Sequence, residues 1–205
     1  MPRLEVLALG ALFLAATEAR DVSLRRLHSG GANCCILDND IWTSVFQSRI
    51  FASLTSLDVD LPSMCFVLKE GLVTFLRHMP NLKAARIHHS YLPDWTAYLL
   101  EPTYKLCSLS LVGRGTYVEL RFFNTLLRRC LSLQTFEYCA SQGMQGWELD
   151  RLLDMILRLR RTSRLPFLHR VALCARGKAP RPTCGKVQAL TAEQVQVVVH
   201  SMVER

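Results

Sequence analysis

The feature that most constrains this chain is a recurrence among its apolar residues. Leu82, Ala85 and Ile87 stand at offsets 0, 3 and 5 of one segment, with the small polar Ser90 at 8 and Leu92 at 10. The 0, 3, 5 frame returns at Leu4/Leu7/Leu9, Leu54/Leu57/Val59, Leu106/Leu109/Leu111, Leu133/Phe136/Tyr138 and Leu168/Val171/Leu173. From Leu54 onward the starts lie 28, 24, 27 and 35 residues apart. Inside the longer gap after Leu4, residues 21–27 read as a degraded copy, with Ser29 where an apolar group belongs and residues 30–33 as a loop. Self-similarity at this period marks a chain built from stacked supersecondary units.

Helical patterns lie between the frames. Residues 66–79, 120–130 and 149–160 carry apolar groups at helical spacing, the first stopping at Pro80 and the third being the clearest amphipathic helix. A strand alternates its faces, so offsets 3 and 5 point inward together while offsets 2, 4 and 6 face the other way. Each unit can bury its leucines only against the next. The expected fold is therefore an α/β solenoid of about six to seven irregular repeats, with a curved parallel sheet on the concave side and helices on the convex side. Leu57, Ile87, Leu109 and Phe136 are expected to line up in register.

Over residues 1–177 this pattern resembles a leucine-rich repeat protein of the ribonuclease-inhibitor-like type. More narrowly, residues 72–87, a helix ending in Pro80, Asn81 and Leu82 ahead of a strand, resemble the repeat regions of fungal-type F-box proteins. The first resemblance implies a non-enzymatic protein-binding module. The second implies substrate recognition for a Skp-cullin-F-box ubiquitin ligase, with a Skp-type adaptor as partner only if an F-box lies upstream. No F-box signature stands in this chain, and only Ser90 and Ser141 occupy the ladder position of the repeat. These departures lead to the expectation of a truncated or divergent gene product whose first strand presents an open edge. A stand-alone scaffold or receptor-type repeat protein, or a basic nucleic-acid-associated protein, is the alternative reading.

Leucine supplies 35 of the 205 residues, against 8 Pro and 10 Gly, which excludes disordered and collagen-like classes. The longest apolar stretch, residues 6–16, is far shorter than the roughly 20 residues a bilayer span needs, so no membrane association is expected. Residues 1–19 also fit a secretory leader, which would make the protein secreted. The eight cysteines show no metal-ligand spacing and most sit among apolar residues, so an intracellular, reduced protein of the cytoplasm or nucleus is expected, with a disulfide framework as the alternative.

Catalytic signatures are missing: there is no nucleophile elbow, zinc-protease helix, phosphate loop or dinucleotide fingerprint. His88 and His89 are adjacent in a strand and so face opposite ways, which rules out their sharing one metal ion. No enzyme activity, metal or cofactor is expected. Charge is more informative, because residues 158–186 hold nine basic groups and no acid, while the remainder is nearly neutral. Arg158, Arg160, Arg161, Arg164, Arg170, Arg176, Lys178, Arg181 and Lys186 are candidates for reading an acidic or phosphorylated partner; a solvated helix face is the bland alternative. Nucleic acid is disfavoured, since no aromatic platform or zinc-finger spacing accompanies the arginines.

Offsets 2, 4 and 6 name the candidate partner-binding residues of the concave face: Asp58, Asp60, Arg86, His88, Ser108, Ser110, Thr135, Glu137 and Arg170. Such a small, polar mixture suits recognition of a protein better than of an apolar ligand. After the repeats, residues 178–190 read as a linker. Residues 191–205 then read as a C-terminal helix, opened by a capping box from Thr191 to Gln194 and serving as a cap, although Val197 to Val199 would also suit a strand.

Overall fold

A computed structural model describes residues 3–4, 7–8, 23–24, 26–29, 55–61, 79–89, 105–113, 120–140, 143–176 and 181–202. Six parallel strands dominate it: β5 (Ser56–Leu61), β6 (Ala84–His89), β7 (Ser108–Gly113), β8 (Thr135–Ala140), β9 (Arg170–Arg176) and β10 (Gln196–Met202). Four short strands precede them: β1 (Arg3–Leu4), β2 (Leu7–Ala8), β3 (Ser23–Leu24) and β4 (Arg26–Ser29). The main sheet runs β10-β9-β8-β7-β6-β5-β4-β2, and β1 pairs with β3 beside it. Three helices are described: α1 (Leu120–Arg129), α2 (Gly146–Arg161) and α3 (Arg181–Ala192). The protein is thus α/β with a parallel sheet.

The register follows the apolar frame. Leu7, Leu27, Leu57, Ala85, Leu109, Phe136, Val171 and Val197 are successive partners across eight strands. Val59, Ile87, Leu111, Tyr138, Leu173 and Val199 form a second row two residues further along. Leu57, Leu109 and Phe136 share the first row as expected, whereas Ile87 stands in the second and Ala85 takes its place. That follows from counting along the strand, since Ala85 is at offset 3 from Leu82 and Ile87 at offset 5. The residues at offset 0, Leu82, Leu106, Leu133 and Leu168, are also buried.

One backbone arrangement recurs at the strand entrances. The carbonyl of Thr55 accepts from Lys83 N and Ala84 N; those of Lys83, Cys107 and Gln134 each accept two amides from the following strand in the same way, at 2.7–3.1 Å. A turn closes before three of these entrances, by Leu82 N to Met79 O, Leu133 N to Cys130 O and Leu168 N to Leu165 O. Buried backbone groups must be paired, and this arrangement does so identically from strand to strand.

α1 and α2 pack on the inward face. The Phe123 ring, fully buried, meets Phe136 at 5.8 Å and Tyr138 at 4.8 Å, edge to face. Such pairs contribute about 0.5–1.5 kcal/mol each beyond the area they bury. α2 buries Leu149, Leu152, Leu153, Ile156 and Leu159 on one stripe. Its start is closed by the Glu148 carboxylate, which accepts from Gln145 N at 2.8 Å, and its last turn carries Arg158, Arg160 and Arg161, the sign that the helix dipole favours there.

The C-terminal expectations are corrected. Residues 181–190, read as linker, belong to α3, and residues 196–202, read as helix, are β10. Pro182 falls in the first helical turn, where its missing N–H is not needed, so the Pro-rich run starts a helix rather than forbidding one. Residues 191–194 end that helix: Val195 N returns to Leu190 O at 2.9 Å, and Gln194 takes φ 62°, the left-handed conformation of helix C-termini. The β-branched run from Val197 then pairs with β9. The expected helix over residues 66–79 lies outside the described residues, apart from Met79 in the turn, as do Ser90 and Ser141.

Candidate functional site

Because the inward rows are filled by the core, the outward rows are what the sheet offers to a partner. Ser56, Ala84, Ser108, Thr135, Arg170 and Gln196 are in register, and beside them run Asp58, Arg86, Ser110, Glu137, Ala172 and Val198. Asp60 and His88 pair with each other in the backbone of the next row, followed by Val112 and Cys139. Seven of the nine residues expected on this face (Asp58, Arg86, Ser108, Ser110, Thr135, Glu137 and Arg170) thus fall in the two described outward rows, and Asp60 and His88 are placed by their backbone.

The face is knitted across its strands. Thr135 Oγ1 donates to Ser108 Oγ at 2.8 Å, and Ser110 Oγ donates to Glu137 Oε2 at 2.9 Å. That second bond satisfies the hydroxyl of a residue only 8% exposed. Arg86 and Arg170 are exposed, while Ala172 and Cys174 on β9 are nearly covered. A disulfide joins Cys139 to Cys174 with Cα atoms 4.9 Å apart. The reading of the cysteines as reduced, free hydrophobes is corrected for this pair, whose approach depends on the register of β8 with β9 rather than on spacing in sequence. It holds for Cys130, fully buried, whose thiol is pushed up to about 12 by burial and is therefore no nucleophile. Burial, and then the Glu148 charge, raises the Tyr138 hydroxyl as well.

The described members of the basic stretch are spread over several elements. Arg160 is structural: it donates to the carbonyls of Leu165 at 3.0 Å, of Pro166, and of Glu193 at 3.4 Å, tying the end of α2 to the chain after α3. Lys186 is a partner of Asp150 at 2.6 Å, Arg170 lies on the outward sheet face, and Arg176 ends β9. Arg164 is exposed beyond α2, Arg181 starts α3, and Lys178 lies outside the described residues.

Two members, Arg158 and Arg161, do converge, with three arginines the sequence reading left in the neutral remainder. A groove of about 820 Å³ runs between α1 and α2, edged by Arg121 and Arg128 from α1 and by Arg151, Arg158 and Arg161 from α2. The signal was a helical one. Positions 121, 124 and 128 and positions 151, 154, 158 and 161 each make a stripe at helical spacing, whereas a search for runs of charge sees only neighbours in sequence. Among the described residues Asp154 is the single carboxylate lining the groove, held by Arg158 at 2.5 Å.

Among the described residues no three His, Cys, Asp or Glu side chains converge as a metal site, and no helix is long and apolar enough to cross a membrane. No protein-family model matches the chain, and comparison with curated proteins finds no match. What the site can do is therefore read from its own geometry: a shallow, polar, cross-linked sheet face on one side, and an arginine-edged groove on the other.

Proposed function

We propose that this chain is a leucine-rich-repeat-type solenoid that binds a protein partner on the concave, outward face of its sheet and carries out no chemistry itself. The observation that carries the reading is the recurrence of one entrance hydrogen-bond pattern from strand to strand, with eight strands holding the same apolar row. Units that repeat in this way present a continuous face, and long, shallow faces suit macromolecules rather than small ligands. The side chains support the same partner class: Arg86, Glu137 and Arg170 offer charges of both signs for orientation, among small Ser and Thr hydroxyls that let a partner approach closely.

The narrower reading, substrate recognition for a ubiquitin ligase, rests on the resemblance of residues 72–87 alone. Co-purification with a Skp-type adaptor tests it, and loss of the adaptor from an upstream-extended chain would leave the scaffold reading.

The face itself is tested by proximity labelling in cells with the full chain, its Arg86→Glu, Glu137→Lys, Arg170→Glu variant, and an Arg164→Glu control. A set of proteins labelled by wild type and control but lost by the sheet variant is the expected result. Identical labelling by all three removes the sheet face from the function.

A further inference from the structure

A second surface lies on the opposite side of the sheet, and it goes beyond the reading above. We propose that the groove between α1 and α2 docks a short acidic segment of a protein partner, with carboxylates alternating with apolar side chains. The charge there is one-sided: among the described residues, Arg121, Arg128, Arg151, Arg158 and Arg161 face a single carboxylate, Asp154. Arg121 and Arg128 have no acidic partner among the described residues, and both are exposed. The Arg151 guanidinium rests 5.4 Å from the centre of the Trp147 ring, and a cation held over a ring face uses none of its hydrogen-bond donors on it. Arg161 reaches Glu193 only at 3.4 Å, with 60% of its side chain exposed.

The chemistry of the lining selects the occupant. A planar guanidinium matches a carboxylate through two parallel hydrogen bonds, which a partner rich in Glu or Asp supplies. The half-buried Leu120 and the covered edges of the core residues Met155 and Leu159 form the groove's apolar floor, and methionine adapts its shape to unlike side chains. A ten-residue helix such as α1 is about 15 Å long, which an extended peptide covers with about five residues. Single-stranded nucleic acid would want aromatic platforms for its bases, and among the described residues the groove lining contains no aromatic side chain.

The test is fluorescence anisotropy on the full chain with a labelled peptide of about five residues, alternating glutamate and leucine. Binding that weakens as salt rises is expected, with a loss of about tenfold for Arg128→Gln and again for Arg151→Gln. Asp154→Asn, which frees Arg158, is expected to tighten binding about threefold; this gain cannot come from damage to the fold. Arg164→Gln and the sheet-face variant are expected to bind as wild type does, which keeps this site separable from the face above. Unchanged affinity in the Arg128 and Arg151 variants overturns the proposal. So does tighter binding of labelled oligothymidine that is lost on the same substitutions, which would give the groove to nucleic acid.

Discussion

Residues 120–176 and residues 181–202 build the same thing in different languages. In the first region α1, β8, α2 and β9 are written in leucine and phenylalanine at the spacing of the element each forms. In the second, α3 contains Pro182 and Gly185 and, from residue 183 on, buries Thr183 and Leu190 alone, with Val187 and Ala189 partly covered, yet it still delivers β10 to the sheet beside β9. The first region can nucleate from local pattern. The second is held by what it packs against: Lys186 on Asp150, the Arg160 guanidinium on the Glu193 carbonyl, and the backbone ladder of β10 on β9.

The contrast is broken most severely by Phe123→Ala. Removing a ring that touches Phe136 and Tyr138 is expected to cost about 3–5 kcal/mol and to lower the urea midpoint of the whole chain. Leu190→Ala leaves a comparable cavity under α3, worth about 2–5 kcal/mol. Its effect is expected to be local, with amides of residues 181–202 losing hydrogen-exchange protection while those of α1 and β8 keep theirs. Equal loss in both regions would mean that the two are a single cooperative unit and that the contrast is one of sequence only.

The legibility of the sequence divides along the same line. Strands β5 to β9 each begin at offset 2 of their frame, and α1 and α2 lie where helical spacing of leucine puts them, because in those segments the period that forms the element also fills the core. α3 was not legible, because its buried stripe of Thr183, Val187 and Leu190 is too thin to stand out against two prolines and a glycine, and only the waiting surface of α2 completes it. The disulfide and the arginine groove were hidden for another reason. Cys139 meets Cys174, and Arg128 comes beside Arg158, only through the stacking of one unit on the next. Spacing within a unit shows each arginine stripe but not that the two stripes meet, and it says nothing of the disulfide.

The cysteines sharpen the comparison chemically. Cys130, at the end of α1, is fully buried, and Cys184, in α3, is exposed. Iodoacetamide at pH 8 is expected to label Cys184 and spare Cys130 in the folded chain. Burial makes the folded protein hold the Cys130 proton more tightly than the unfolded chain, whose thiol titrates near about 8.5. The stability this brings is complete below that pH and is lost as pH rises toward about 12, by up to about 1.4 kcal/mol per pH unit. Tyr138 adds a slope of the same sign, so Cys130→Ala is expected to flatten the alkaline decline without abolishing it. An unaltered slope would mean that Cys130 titrates alike in both states.

One substitution made at two glycines takes opposite signs. Gly143 precedes α2 with φ 68°, and a Cβ there would lie 2.7 Å from the Ala175 carbonyl carbon and the Arg176 nitrogen. Neither backbone atom can retreat, because Met144 is bonded to both sides of this point on β9, through Cys174 O and Arg176 N. Gly143→Ala is therefore expected to cost about 1–3 kcal/mol.

Gly185→Ala gives the smallest effect and the most direct test of how α3 is held. This glycine is helical and exposed, and a Cβ would meet nothing within 4 Å. Alanine removes unfolded-chain entropy without straining the fold, which is worth about 0.5–1 kcal/mol. If α3 stands by its packing despite poor local propensity, that gain should appear as added hydrogen-exchange protection confined to residues 181–202. A gain spread evenly over α1 and α2 would show that the C-terminal helix folds with the rest, and no gain would show that position 185 is not helical in solution.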